Sequence, residues 1–457
     1  MEANTTENAG NNSVRVLMLP MLGHGHISPF LQLAKKLTER GIHIYLCSTP
    51  INLNSISKKI TGKYSESIQL VEFHLQELPE LPSRYHTTDG LPSHLLPIFF
   101  NSLKLSNPEI HNIIESLKPD LVIYDKAFAR FSVSPLYTFP SVWLHIVSAA
   151  SLSYTFHLTS NSGTEYPFPS IYLRDFELRR LLTTIGRNAL DPCEDSPIPL
   201  LVNTCRAMEG KYLDHHASST NLKVLPVGPL IPSSPNSTGE SGDDDIELMN
   251  WLGQKSEHST VFASFGTMYF LSKEEIQEIA FGLELSNVNF IWALGSPKGE
   301  QRRLDEILPE GFLERVKDKG RIVQGWVPQA KILGHSSIGG LLSHCGWTST
   351  SEGIEFGVPT MAMPMAFEQP ITGRVLVENG VAIEVMRDEN GRLQREEIAR
   401  VIKDVVFGGA GETMRQKIKD LRKKIKSEEK ENLDGLLTLI IQLSNKNSSH
   451  GINIARA

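Results

Sequence analysis

Residues 14 to 48 read VRVLMLPMLGHGHISPFLQLAKKLTERGIHIYLCS. Val14 to Leu19 is a short apolar run suited to a buried strand, and from Ile27 the apolar positions recur with helical spacing until Gly41 closes the pattern. A second apolar run, from Ile42, follows at once. Strand, turn, helix and strand in this order predict two parallel strands joined by a crossover helix. SIQLVEFHL and PDLVIYD read as further strands, with a helical stretch at HNIIESL. Near-continuous apolar strands of this kind are buried on both faces, so a helix-covered parallel sheet is expected.

The pattern breaks at PSSPNSTGESGDDD, residues 232 to 245, where Pro, Ser, Gly and acid mark a boundary. It then restarts. STVFASFG and VNFIWAL read as strands around the amphipathic LSKEEIQEIAFGLELS, and RIVQG, IGGLLS, PTMAM and VAIEV as later strands. The fold class is therefore α/β, with two Rossmann-like domains facing across a cleft. The expected division is residues 1–230, a flexible linker at 231–245, a second domain at 246–443 with long charged helices at its end, and a frayed polar tail at 444–457.

The 457 residues are 40% hydrophobic and 21% charged, as in ordinary globular proteins. A formal net charge of -7 lacks the basic footprint of nucleic-acid binding. Four scattered cysteines, without a CxxC pair, indicate neither a zinc site nor a disulfide framework. No export signal or apolar run long enough for a membrane span occurs, so the chain is expected in the cytoplasm with no integral membrane segment. Asp243, Asp244 and Asp245 fit a solvated helix start better than a metal site, and no metal is expected.

Gly23-His24-Gly25 is a weak match to a dinucleotide fingerprint. Ser28-Pro29 replaces its last glycine, and the second strand ends in CSTP without the acid that would hold a ribose. The histidines explain the turn better. His26 at the mouth of the first strand faces the cleft as a candidate general base, and Asp125 at the end of PDLVIYD is its candidate partner. The residues alone equally allow two helix caps.

The most informative segment runs from Trp326 to Gln369: WVPQAKILGHSSIGGLLSHCGWTSTSEGIEFGVPTMAMPMAFEQ. A strand leads into a glycine turn with His and hydroxyls, then into a helix whose free N–H groups suit phosphate. Trp326 offers a face for a base, Glu352 can accept from ribose hydroxyls, and Glu368 with Gln369 suits the vicinal hydroxyls of a sugar.

This segment resembles the signature box of the plant secondary-product UDP-glycosyltransferases, of GT-B fold. GHIS, HTTDGLPSHL, VLPVGPL, VFASFGT, LPEGFLERV and GWVPQAKIL extend the resemblance over most of the chain, and HTTDGLP, EGKYLD and LPVGPL are most similar to the branch-forming clade, which adds a sugar to a sugar. The resemblance implies that Trp326 stacks on uracil, with Val327 and Gln329 nearby, and that Glu352 holds the ribose. It further implies that His344, Thr348 and Ser349 face the diphosphate, with Thr267 adding a contact. Gly346 would permit close approach, Trp347 would lie by the sugar, Glu368 and Gln369 would bind its hydroxyls, and His26 and Asp125 would be base and supporting acid.

The implied activity is inverting transfer, without metal or cofactor, from a UDP-sugar co-substrate, expected to be UDP-glucose. The acceptor is expected to be a flavonoid or terpenoid glycoside. UDP-xylose, UDP-galactose, an aglycone hydroxyl, or a binding protein without turnover are the alternatives. Two departures stand out: Thr348 where the family usually has Asn, and KAFARFSVSPLYTFP after Asp125, with a helix-interrupting Pro135.

Overall fold

The computed structural model describes residues 13–129, 139–160, 163–185, 198–232, 243–300 and 302–454. Its first sheet contains β1 (Arg15–Leu19), β2 (His43–Ser48), β3 (Ile68–Glu72), β4 (Leu121–Asp125), β5 (Ser141–His145), β6 (Leu200–Val202) and β7 (Val224–Pro226), in the order β3-β2-β1-β4-β5-β6-β7. The second contains β8 (Thr260–Ser264), β9 (Asn289–Leu294), β10 (Gly320–Gln324), β11 (Ile338–Ser343), β12 (Thr360–Ala362) and β13 (Ala382–Glu384), ordered β10-β9-β8-β11-β12-β13. Every strand pairs in parallel with its neighbours. The four strands expected in the first half and the six expected in the second all pair in parallel, whereas β5 and the three-residue β6 and β7 are not singled out by the sequence pattern.

Alternation along β1 explains its apolar run. Val16 and Met18 pack on one face with Phe30, Leu31 and Leu37 of the His24–Thr38 helix, while Leu17 and Leu19 pack on the other with Phe99, Leu103 and Trp143. Both faces are core, and each large apolar side chain buried there contributes about 1.5–3 kcal/mol.

The strand orders reverse direction at β1/β4 and again at β8/β11. Crevices at the carboxyl ends of strands at such reversals are where open α/β sheets bind ligands. His26 and Asp125 come from the first reversal, because Leu19 pairs with Tyr124 in register. Thr267 and His344 come from the second, where Ser343 pairs with Ser264.

The lobes are joined by buried polar contacts. Arg374 Nη2 donates to Glu177 Oε2 at 2.8 Å and Oε1 at 3.0 Å, with both side chains only 4% exposed. The Gly409–Ile454 helix packs Ile418 and Leu421 beside Trp347, then places Leu436, Leu439 and Ile440 in the first lobe's core. It continues to Ile454, so the end of the chain that composition marks as a frayed tail is helical up to that residue. The expectations for the linker at 233–242 and for Pro135 lie outside the described residues; the Asp243–Gly253 helix does begin at the acidic run.

Candidate active site

His26 sits in the first turn of its helix, and its Nδ1 lies 2.7 Å from Asp125 Oδ2. A carboxylate accepts, so the imidazole proton belongs on Nδ1 and Nε2 keeps its lone pair. Asp125 is itself held: Oδ1 accepts the Ala127 N–H at 2.8 Å and Oδ2 lies 3.4 Å from the Met21 N–H. Burial opposes a charge on His26, but the Asp125 carboxylate outweighs it, helped by Asp89 and Glu368, and its pKa is raised above the ordinary imidazole value. Glu368 belongs to the other lobe. Its own pKa is raised by burial, with His26 pulling the other way, so the imidazole of one lobe and a carboxylate of the other influence each other's charge.

The second-lobe residues form one surface. Gly346 caps the Trp347–Phe356 helix without a side-chain hydrogen bond, and the first turn holds no acid. Its N–H groups and dipole therefore favour an anion. Thr348 and Ser349 stand half-buried on that turn. His344 is buried against the Ser264 carbonyl, a long 3.4 Å contact, and burial lowers its pKa to about 4. It is neutral at physiological pH, and because a carbonyl only accepts, its one proton belongs on Nδ1. A Cβ on Gly266 or Gly346 would meet His344 Nε2 at 2.7 or 2.5 Å, so only glycine leaves the ring its place.

Trp326 is 60% exposed, an available face. Beside it Val327 is buried, and Gln329 Nε2 donates to Glu352 Oε2 at 2.6 Å and Ser349 Oγ at 3.2 Å. Burial raises the Glu352 pKa, while Gln329 and Lys59 oppose the shift.

Two expectations are narrowed by the packing. The Trp347 indole is buried and donates to the Asn203 carbonyl at 2.5 Å, which commits its ring to the contact between lobes; only its backbone stands near the anion-favouring turn. Gln369 Oε1 accepts the Met365 and Ala366 N–H groups at 3.0 and 2.9 Å, which leaves Nε2 as the side chain's donor. Thr267 Oγ1 donates to Asp89 Oδ1 at 2.9 Å across the cleft. Sequence reasoning singled out neither Asp89 nor Lys59. The HTTDGLP stretch signalled the first only as part of a resemblance, and nothing local marks a lysine that folding brings near Glu352. Among the described residues no group of three or more His, Cys, Asp or Glu could hold a metal ion, and no helix is long and apolar enough to cross a membrane.

Comparison with known proteins gives this geometry its context. The family description "Glycosyltransferase, N-terminal domain" matches residues 12–232, and "UDP-glucoronosyl and UDP-glucosyl transferase" matches residues 240–415. The chain is 49% identical over 437 residues to the β-D-glucosyl crocetin β-1,6-glucosyltransferase of Gardenia jasminoides, covering 93% of this chain and 98% of that protein. It is 42% identical over 446 residues to the flavanone 7-O-glucoside 2''-O-β-L-rhamnosyltransferase of Citrus maxima, covering 94% and 97%. The crystal structure of Glycyrrhiza uralensis UGT73P12 with glycyrrhetinic acid 3-O-monoglucuronide superposes with a TM-score of 0.78 at 22% identity, over 97% of this chain and 100% of that one. Two parallel sheets of seven and six strands, matched over nearly their whole length, define the GT-B fold. Within that class the chain belongs to the plant UDP-glycosyltransferase family, and it is a UDP-glycosyltransferase enzyme.

Proposed function

We propose that the chain transfers glucose from UDP-glucose, with inversion, to a sugar hydroxyl of a flavonoid or terpenoid glycoside. The observation that carries the catalytic reading is the 2.7 Å His26–Asp125 pair at the mouth of the first sheet. The Gardenia and Citrus relatives are both named for acceptors that already carry a glucose, which supports a glycoside acceptor here.

The acceptor oxygen forms its bond to the anomeric carbon as the bond to UDP breaks. Its proton passes to His26 Nε2, and Asp125 stabilises the imidazolium. The charge growing on UDP meets the N–H groups at Gly346–Ser349 and the Thr267 hydroxyl. Trp326 stacks on the base, Gln329 and Glu352 hold the ribose, and Glu368 with Gln369 Nε2 holds the sugar. Pre-aligned reactants lower such barriers by as much as about 7–11 kcal/mol. The product is a β-glycoside.

A second reading keeps the chemistry and changes the donor, because Thr348 offers a shorter polar group than the usual carboxamide. Equimolar UDP-glucose, UDP-xylose, UDP-galactose and UDP-rhamnose, incubated with the protein and a panel of glycosides and their aglycones, distinguish the two. Glucosylated glycosides are the expected product. Preference for another donor or for aglycones overturns that part, and UDP binding without any product overturns catalysis.

A further inference from the structure

Asp89 is the one carboxylate among the described residues whose two oxygens are shared between the base-bearing helix and the donor loop. Oδ2 accepts the N–H of His24, first residue of the helix that carries His26, at 2.7 Å, and the Thr87 hydroxyl at 3.3 Å. Oδ1 accepts the hydroxyl of Thr267 at 2.9 Å. The surrounding backbone is stitched the same way. Thr88 N–H donates to Leu22 O at 2.6 Å, Gly90 N–H to Thr267 O at 3.2 Å, and Lys298 N–H to Gly90 O at 2.8 Å. Gly90 adopts φ 70°, and a Cβ there would meet the Lys298 side chain at 2.8 Å, so the strap fits closely between the lobes.

A hydroxyl has one proton, and phosphate oxygens only accept. Thr267 can therefore donate to Asp89 or to a diphosphate, but not to both at once. We propose that Asp89 is a positioning residue that tethers the His26 helix to the donor loop and competes with the donor diphosphate for the Thr267 proton. The proposal rests on the placement of the diphosphate at Thr267 made above. Donor arrival takes the Thr267 proton and releases Oδ1, while Oδ2 keeps its hold on His24. Donor binding is thereby linked to the element that carries the base.

Calorimetry of the full chain with UDP tests this without any acceptor. In Asp89→Asn the amide oxygen still accepts from His24, while the neutral side chain no longer competes for the Thr267 proton. UDP affinity is expected to rise roughly threefold or more, the scale of one released hydrogen bond. Thr267→Val is expected to weaken UDP binding, and adding Asp89→Asn to it is expected to restore less than about twofold, since the two residues act as one unit. Asp89→Ser, short and neutral, provides the same test if the amide folds poorly. The His26 imidazole, followed by NMR, is expected to titrate at lower pH in Asp89→Asn, because Asp89 helps to hold its proton. A carboxylate that served only the fold would lower Tm on replacement and leave UDP affinity unchanged. Unchanged or weaker affinity in Asp89→Asn overturns the proposal while the donor site stands. Failure of the wild-type chain to bind UDP overturns both.

Discussion

His26 Nδ1 lies 2.7 Å from Asp125 Oδ2, although the residues are 99 positions apart, because β1 and β4 are neighbours that end at the same sheet edge. The bond fixes which nitrogen is free. Asp125→Asn preserves shape but can stabilise the wrong tautomer, and kcat is expected to fall by about 10²–10⁴, with UDP affinity within about twofold of wild type. Initial rates and UDP calorimetry on the same preparation check the split.

The same pair sets a pH dependence. The base works unprotonated, and although burial opposes it, the charge and hydrogen bond of Asp125 with Asp89 and Glu368 together raise the His26 pKa, so kcat/KM should rise with pH through a limb above the ordinary imidazole value of about 6.5. Asp125→Asn removes the charge, and its residual activity should show the limb at lower pH. A pH–rate profile for both proteins reads the direction of the shift.

Trp326 has a large exposed face and packs little, so its replacement should affect ligand rather than fold. Trp326→Ala is expected to weaken UDP binding by about 0.5–1.5 kcal/mol, roughly 2- to 12-fold, with Tm unchanged. Gly346→Ala inverts the lesson: its backbone φ of -62° suits alanine, but the added methyl meets His344, so donor affinity should fall through displacement of the ring.

His344 provides a stability test. Burial depresses its pKa to about 4, so the folded state holds it neutral while the unfolded chain binds a proton near 6.5. Stability from this group is present above about pH 6.5 and is lost as pH falls toward 4, by up to ~3 kcal/mol. Tm measured from pH 7 to 4 should fall less steeply in His344→Gln. His216, depressed to about 3 by burial, adds to the same acid instability in both proteins.

Glu177 and Arg374 are a buried pair that links the lobes. Removing one partner leaves an uncompensated buried charge, and Glu177→Ala is expected to cost about 3–5 kcal/mol. Denaturant unfolding measures it, and a change below about 1 kcal/mol would show that the pair is not needed to hold the lobes together.

Local pattern and long-range packing were unequally legible. β1 to β4 and the strands of the second sheet carry enough apolar sequence to be read directly, and the glycine turn before Trp347 marks a helix start that has neither a capping side chain nor an acid in its first turn. The three-residue β6 and β7 carry no periodicity. The ring of Trp347 could not be placed from sequence, since its partner Asn203 is 144 residues away and only the closed lobes bring them together. Asp89 was hidden for the same reason: a loop aspartate gains its meaning from His24 on one side and Thr267 on the other. The helical continuation to Ile454 likewise owes nothing visible to its polar composition.

The central claim is that one imidazole takes the acceptor's proton. Its most direct test is the initial rate of His26→Ala with UDP-glucose and the glycoside the wild-type chain turns over, alongside UDP calorimetry. The account predicts a rate lower by at least about 10²–10⁴, the range for loss of a positioned general base, with UDP binding retained. Wild-type turnover in that variant would contradict it.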